Sequence, residues 1–418
     1  MDGFLVYLVA VLFLIVVCVM FNDKVTKLPT EIAILMFSLI IGIILRIVFN
    51  VDENASAMIM ETISEFRIDK VLLDGLLCFM LFTGASELKL PSLVNNFKPI
   101  ALLALLTTVV SSVIYGALFY LVALVFGLDI NFTLCVLLGS IVSPTDPIAA
   151  TSILSKMGLT KNVTAVMEGE SLFNDGTGVA LFIFVKELYL DTKGNNFFIV
   201  MGKELFGAIL VGLVVSFVFS FLIKATKDPI RHILISTLTV ALCYVVCEDL
   251  GYSGVIASVV CGIYFSTLMD SYKAKDKDLD PDNYYKDFWS IIDKLLNYVL
   301  YAMIGISFVY ITRVSWFIVI AVAAIVFNLL ARYIGVFLST SLLKQTPDEY
   351  KIKPFTILMT WSGLKGGLCL ALAMSTIEFL PTNAYHIILY ITYVTIIFTT
   401  VFQGLSVGKI FEYVKKNN

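Results

Sequence analysis

Charge is scarce in this chain. Asp, Glu, Lys and Arg make up 15% of its 418 residues and apolar types 59%, where a soluble domain has roughly a quarter and a half. Histidine is scarcer still, at two residues, His232 and His386. There is no long basic tract and no zinc-ligand spacing, which leaves nucleic-acid binding without support. No stretch is long and polar enough for an attached soluble domain. The one long hydrophilic loop, about 270–288, mixes Lys and Asp around Pro281 and reads as a solvated connector. The seven cysteines (Cys18, Cys78, Cys135, Cys243, Cys247, Cys261, Cys369) all fall in apolar runs, so they read as small buried hydrophobes and not as disulfides. The N-terminal stretch lacks the basic start of a signal peptide, and Gly3–Phe21 reads as a retained first span.

What fills the sequence instead is apolar runs of about twenty residues, the length that crosses a bilayer as a helix. Because the runs are continuous and not short and alternating, a β-barrel is excluded. The expectation is an all-α polytopic membrane protein of about thirteen transmembrane helices. The spans fall at roughly 3–21, 30–49, 69–87, 99–126, 131–154, 164–187, 197–223, 231–249, 253–269, 289–311, 314–342, 354–379 and 385–408. With the N-terminus outside, 20 of the 29 Lys and Arg lie on the cytoplasmic side, seven lie outside, and Arg332 and Lys365 lie within spans. That bias orients the chain, agrees with an odd span count, and places the C-terminus in the cytoplasm. The expected location is the cell membrane.

Two stretches break the apolar pattern. Ser143-Pro144-Thr145-Asp146-Pro147 interrupts span five, and Glu168-Gly169-Glu170-Ser171-Leu172-Phe173-Asn174-Asp175-Gly176 lies in span six. An ionisable side chain at membrane depth costs about 2.5–3.5 kcal/mol on insertion scales, so it reads first as functional. Each proline removes a backbone donor and clashes with the preceding turn. The carbonyls freed around Thr145, its hydroxyl and the Asp146 carboxylate form a set of hard oxygens suited to an alkali cation. In span six, Ser171 and Asp175 share a helix face one turn apart, with Glu168 near the same stripe toward the cytoplasm. Asn174 adjoins Asp175 and can orient polar groups, and Gly176 and Gly178 permit close helix approach.

Span twelve carries a matching interruption, Trp361-Ser362-Gly363-Leu364-Lys365-Gly366-Gly367. The two breaks are the fifth members of spans 1–6 and 8–13. An offset of seven spans makes these six-helix repeats inverted, and paired interrupted helices in inverted repeats mark a transporter's central site. Glu170 points away from Asp175 and lies at a depth similar to Arg332 in span eleven, so a structural Glu170–Arg332 ion pair is expected. Lys365, inside the second break, can offset the negative ends of the half-helices that meet there.

A mechanism follows from competition. A partly dry carboxylate holds its proton more tightly, and a bound cation displaces it. Asp175 is therefore expected to hold a proton or a cation, but not both well. If the empty, ionised carrier cannot cross, only loaded states reorient and exchange is forced. One carrier carboxylate beside a neutral Asn174 points to electroneutral, one-for-one exchange. No cofactor is implied beyond the transported ions.

At Ser143–Pro147 and Glu168–Asp175 the chain resembles the cation/proton antiporter family that includes bacterial and archaeal NhaP-type antiporters and the animal sodium/hydrogen exchangers. The resemblance extends to Glu248–Gly262 and Trp361–Gly367 and covers nearly the whole length. It implies a homodimer in which a transport core, 99–190 and 313–418, moves against scaffold and dimer helices, 1–98 and 191–312. It also implies Asp175 as the principal ion and proton ligand, coordinating roles for Asp146, Thr145 and Ser171, and a buried bridge between Glu170 and Arg332; with Asn174 these make up the expected cation- and proton-binding set, and the resemblance favours sodium, with lithium accepted. A third-span carboxylate, here Glu87, is either a further ligand or an interfacial acid. Where the family often has Gly-Leu-Arg-Gly, this chain has Gly363-Leu364-Lys365-Gly366, which puts any bidentate role there in doubt.

Potassium/proton exchange is the rival reading within transport, because selectivity depends on cavity size and ligand field. The remote alternative is an intramembrane serine protease, from Gly251-Tyr252-Ser253-Gly254 with His386; it leaves Asp146, Asp175, Glu170 and Arg332 unexplained. His232 and His386 lie near membrane interfaces and read as surface histidines or as pH sensors.

Overall fold

The computed structural model describes residues 3–51, 70–128, 130–191, 197–273, 281–310, 317–343 and 346–417. Apart from the short helix Leu90–Asn95 and three single 3-10 turns, they form thirteen helical segments in chain order, two of them broken. We label these α1 (Gly3–Phe21), α2 (Thr30–Val51), α3 (71–87), α4 (Phe97–Phe126), α5a (Phe132–Val142) and α5b (Ile148–Lys156), and α6 (Lys161–Tyr189). Then follow α7 (Phe197–Lys224), α8 (Pro229–Asp249), α9 (Gly254–Lys273), α10 (Pro281–Ile306), α11 (Phe317–Ser341), α12a (Ile352–Trp361) and α12b (Gly367–Ser375), and α13 (Thr382–Asn417). The expected all-helical fold of thirteen spans is what the described residues adopt, with each set of six carrying its break in the fifth member.

Among the described residues, nine helices are long and apolar enough to cross a membrane. Those that fall short are α3, the halves of α5, α6 and the halves of α12. They fall short because they are short, broken or charged, and they are the helices that carry the polar groups described below. Burial separates the layers: 28% of the α1 span and 33% of the α7 span are buried, against 67% for α9 and α13. The outer faces of α1 and α7 present Leu5, Phe13, Phe206 and Phe217, as lipid-facing helices do. One large apolar cluster unites the helices around the breaks. A second gathers α7, α8 and α9 against Phe82 of α3 and Trp289 of α10. All seven cysteines are free and buried, four of them in that second cluster, as expected of small core residues.

Local sequence sets the ends. Asn131 caps α5a by accepting from the Leu134 amide at 2.9 Å. Thr160 caps α6 by accepting from the Val163 amide at 3.3 Å. Each side chain satisfies a donor that a helix start leaves free. One expectation needs correction. The 270–288 connector is largely helical: α9 runs on to Lys273 and α10 starts at Pro281. Proline suits a first helical turn, and Tyr285 and Trp289 are buried in the second cluster, which draws this polar stretch into the helix. Lys286 pairs with Asp270 at 2.8 Å and ties the two helix ends together. Residues 274–280, with Lys275 and Lys277, lie outside the described residues, as do Arg67, Lys193, Arg313, Lys344 and the proposed boundary at 312/313.

Where α4 meets α5a the backbones touch. A Cβ on Gly139 would sit 2.2 Å from the Ser112 carbonyl oxygen, whereas one on Gly202 would meet nothing within 4 Å. Gly139→Ala should therefore destabilise the protein by about 1–3 kcal/mol, the usual cost of overpacking. Thermal unfolding in detergent checks this, with Gly202→Ala expected to melt like the wild type.

Candidate functional site

The two breaks cross. The Asp146 amide donates to the Leu364 carbonyl at 2.9 Å, and this antiparallel bridge is the one β-type pairing among the described residues. Lys365, 1% exposed, donates from Nζ to the Ser143 carbonyl at 3.0 Å, at the C-terminal end of α5a. Its own peptide is held by α13: Lys365 N donates to Thr399 Oγ1 at 3.1 Å, and Thr400 Oγ1 donates to Lys365 O at 3.2 Å. Adjacent threonines can both reach one residue because α13 makes a π turn over Phe398–Gln403, a wider turn that often appears at functional sites. Ser143 Oγ donates to the Thr108 carbonyl of α4 at 2.9 Å. The Lys365 side chain thus ends at the C-terminus of α5a, where a cation would oppose the partial negative charge of that helix end.

On α6, Glu170 meets Arg332 of α11 through two oxygens, at 3.2 and 3.3 Å, with both side chains nearly fully buried. Asn174 donates to the same carboxylate at 2.8 Å, and Thr145 Oγ1 donates to it at 3.4 Å. Arg332 also donates to the Met359 carbonyl in the last turn of α12a, from Nε at 3.3 Å and from a terminal nitrogen at 3.2 Å. It thus serves one half-helix end as Lys365 serves the other, a second role the sequence did not reveal. Gly363 is required for this approach: a Cβ there would lie 2.1 Å from Arg332 Nε.

Asp146 and Asp175 differ from Glu170. Both are half-buried, and both line a cavity of 370 Å³. Asp146 Oδ1 accepts from the Ile148 amide at 3.0 Å, and Oδ2 accepts from Tyr301 Oη of α10 at 2.8 Å. Asp175 has no hydrogen-bond or ion-pair partner among the described residues. Thr145 and Ser171 also line the cavity, but the Thr145 carbonyl already accepts from Ser171 Oγ at 2.5 Å. Asn174 stands behind the wall, fully buried. Its amide donates to Thr145 Oγ1 at 2.7 Å and accepts from the Thr145 amide at 3.3 Å. It holds the break and does not reach the cavity. Gly178 seats Pro144, whose Cγ would be 2.3 Å from an added Cβ.

The cavity runs out to exposed Glu87, Ser155 and Lys294, with Glu168 and Glu31 half-buried along it. Glu87 therefore stands near the mouth, on the surface and away from the crossing. Among the lining or contacting groups missed from sequence, Asp293, Asn297 and Tyr301 lie together on α10. Their signal was present, since polar residues at i, i+4 and i+8 in an apolar span form one face. Ser253 and His386 are not joined by a hydrogen bond among the described residues. Ser253 Oγ accepts from the Ile256 amide at 3.3 Å, at the start of α9.

Removing one partner of the Glu170–Arg332 pair strands a buried charge. Arg332→Gln should cost about 3–5 kcal/mol of stability. The double variant Glu170→Gln with Arg332→Gln should recover most of that loss, as measured by thermal unfolding and the yield of monodisperse protein.

The sequence was compared with known proteins. The Na+/H+ antiporter NhaP of Pseudomonas aeruginosa is 29% identical over 93% of this chain and 91% of its own length. The Na+/H+ antiporter NhaH of Halobacillus aidingensis is 30% identical over 99% of both. The solved structure of the sodium proton antiporter MjNhaP1 of Methanocaldococcus jannaschii superposes with a TM-score of 0.77 over 98% of both chains, at 21% identity, and shares the fold. The family described as sodium/hydrogen exchanger, transmembrane, matches residues 9–413, and the chain belongs to that family.

Proposed function

We propose that the chain exchanges sodium, and also lithium, for protons across the cell membrane, one for one, with Asp175 as the group for which ion and proton compete. The observation that carries this reading is the unpartnered Asp175 carboxylate, facing a cavity at the crossing of two broken helices. Every other buried acid at the crossing is engaged. Asp146 is the second ligand, held by Tyr301 and the Ile148 amide, and its free lone pairs face the same space. Thr145 and Ser171 line that space and offer further oxygens, while Asn174 positions them. The names of the relatives, which specify sodium, favour sodium over potassium.

A charge count supports electroneutrality. Glu170 and Arg332 cancel. Asp146 and Lys365, both at the crossing, carry opposite charges when ionised and then offset each other. At the crossing itself that leaves Asp175, whose one negative charge is neutralised by one proton or one monovalent cation. The empty carrier keeps that charge and is retained on its side by the cost of moving it through the bilayer. Movement is assigned to spans 4–6 and 11–13 against spans 1–3 and 7–10. The cavity supports this division, because its walls come from α3 and α10 on one side and from α5, α6 and α12 on the other. A homodimer with its N-terminus outside completes the reading, resting on the family resemblance and the positive-inside bias. On that orientation the cavity opens to the cytoplasm.

Everted vesicles holding a pH gradient test the proposal. Sodium and lithium should dissipate the gradient through the wild type, and Asp175→Asn should lower the rate by about a hundredfold or more. Potassium acting in place of sodium would move the assignment to potassium exchange. In reconstituted vesicles, competition for one site should raise the apparent KM for sodium about tenfold per unit fall in pH at the acid end. Exchange should carry no net current; a sodium-driven current would overturn the one-for-one count.

A further inference from the structure

The polar face of α10 has a feature that a single site at Asp175 does not use. Asp293, Asn297 and Tyr301 succeed each other one turn apart on one face of the helix. Tyr301 reaches Asp146, while Asp293 and Asn297 line the outer part of the same cavity. At 1.5 Å per residue, Asp293 and Tyr301 are about 12 Å apart along the helix axis, so the stripe runs from the outer part of the cavity to the residue that holds Asp146.

Asp293 Oδ1 accepts from Thr83 Oγ1 at 2.7 Å, and Oδ2 accepts from Asn297 Nδ2 at 3.1 Å. No basic side chain pairs with it among the described residues. Lys294 also lines the cavity, at its mouth and exposed. Asn297 is 2% exposed, and its Oδ1 has no hydrogen-bond partner. The orientation of that amide is fixed, because its nitrogen also donates to the Asp293 carbonyl at 2.9 Å; turning it over would set oxygen against oxygen. A buried carbonyl oxygen without a donor is costly, and here it belongs to a cavity-lining residue one turn from the half-buried Asp293. A hard cation needs that combination of oxygens, with water filling its remaining positions.

We propose that Asp293 and the Asn297 carbonyl oxygen form a second, shallower site for a monovalent cation, from which the ion passes inward to Asp146 and Asp175. This rests on the exchange reading above and adds a step to it. Tyr301, at the inner end of the stripe, holds Asp146 Oδ2 until the ion arrives. The site concentrates cations in the cavity without carrying them across, so its loss weakens apparent affinity more than turnover.

The test uses thallium as a heavy stand-in for the cation, soaked into crystals of the full chain, together with sodium kinetics in reconstituted vesicles. Wild type should show thallium beside Asp293 and Asn297 as well as beside Asp175. Asp293→Asn should lose the first position and keep the second, and its KM for sodium should rise about tenfold with kcat within about twofold. Asp293→Glu, which keeps the charge, should restore most of the affinity. A carboxylate that only ties α3 to α10 would tolerate Asn, since an amide still bonds Thr83. Thallium absent from Asp293 in the wild type, or a wild-type KM in Asp293→Asn, overturns the second site. Exchange persisting in Asp175→Asn would instead overturn the underlying reading, whatever is seen at Asp293.

Discussion

A helix interrupted inside a bilayer frees peptide groups that have no water to turn to, each at a cost of several kcal/mol. Here two interruptions supply each other. The amide of Asp146 takes the carbonyl of Leu364, and the side chain of Lys365 takes the carbonyl of Ser143. Neighbouring helices satisfy further peptide groups, through Asn174 and Ser171 of α6 and through Thr399 and Thr400 of α13. Neither break is satisfied alone, so the position of Asp146 is set by the backbone of α12 as much as by its own chain. The carboxylates around the crossing inherit their geometry from this exchange of hydrogen bonds.

Those carboxylates fall into an order. Glu170 accepts from Arg332 twice, from Asn174 and from Thr145. Asp146 accepts from one amide and one phenol. Asp175 accepts from nothing among the described residues. A saturated carboxylate is fixed in place; an unsatisfied one facing a cavity has its oxygens free for another partner. Three carboxylates within one small region therefore stand in three different hydrogen-bonding states, set by how many donors each already has.

Much of this was legible in the sequence, and the reasons are specific. Prolines at 144 and 147 and glycines at 363, 366 and 367 cannot hide inside an apolar helix, so both breaks were readable. A buried arginine and glutamate at matching depth had few other partners to choose from, and they do meet. The α10 stripe was harder to see. Its helix starts in a polar stretch that resembles a loop by composition, and only the burial of Tyr285 and Trp289 against another cluster shows that the helix begins there. The second contact of Arg332, with Met359, was invisible for a different reason: it depends on where a half-helix ends in space, which spacing along one chain does not encode. Asn174 was placed beside Asp175 in sequence, yet its side chain points to the break and away from the cavity.

The lysine at 365 can be understood in the same terms. An arginine there would bring a planar fork suited to a carboxylate with two free oxygens. The group that Lys365 meets is a single backbone carbonyl at the end of α5a, which needs a point charge with one donor directed at it. The fork-shaped partner is Glu170, and Arg332 already occupies both of its oxygens. Division of labour between the two buried cations thus follows from the acceptors: guanidinium for a carboxylate and a helix end together, ammonium for a helix end alone. Lysine keeps the charge that the end of α5a requires, and the bidentate contact is made elsewhere in the crossing.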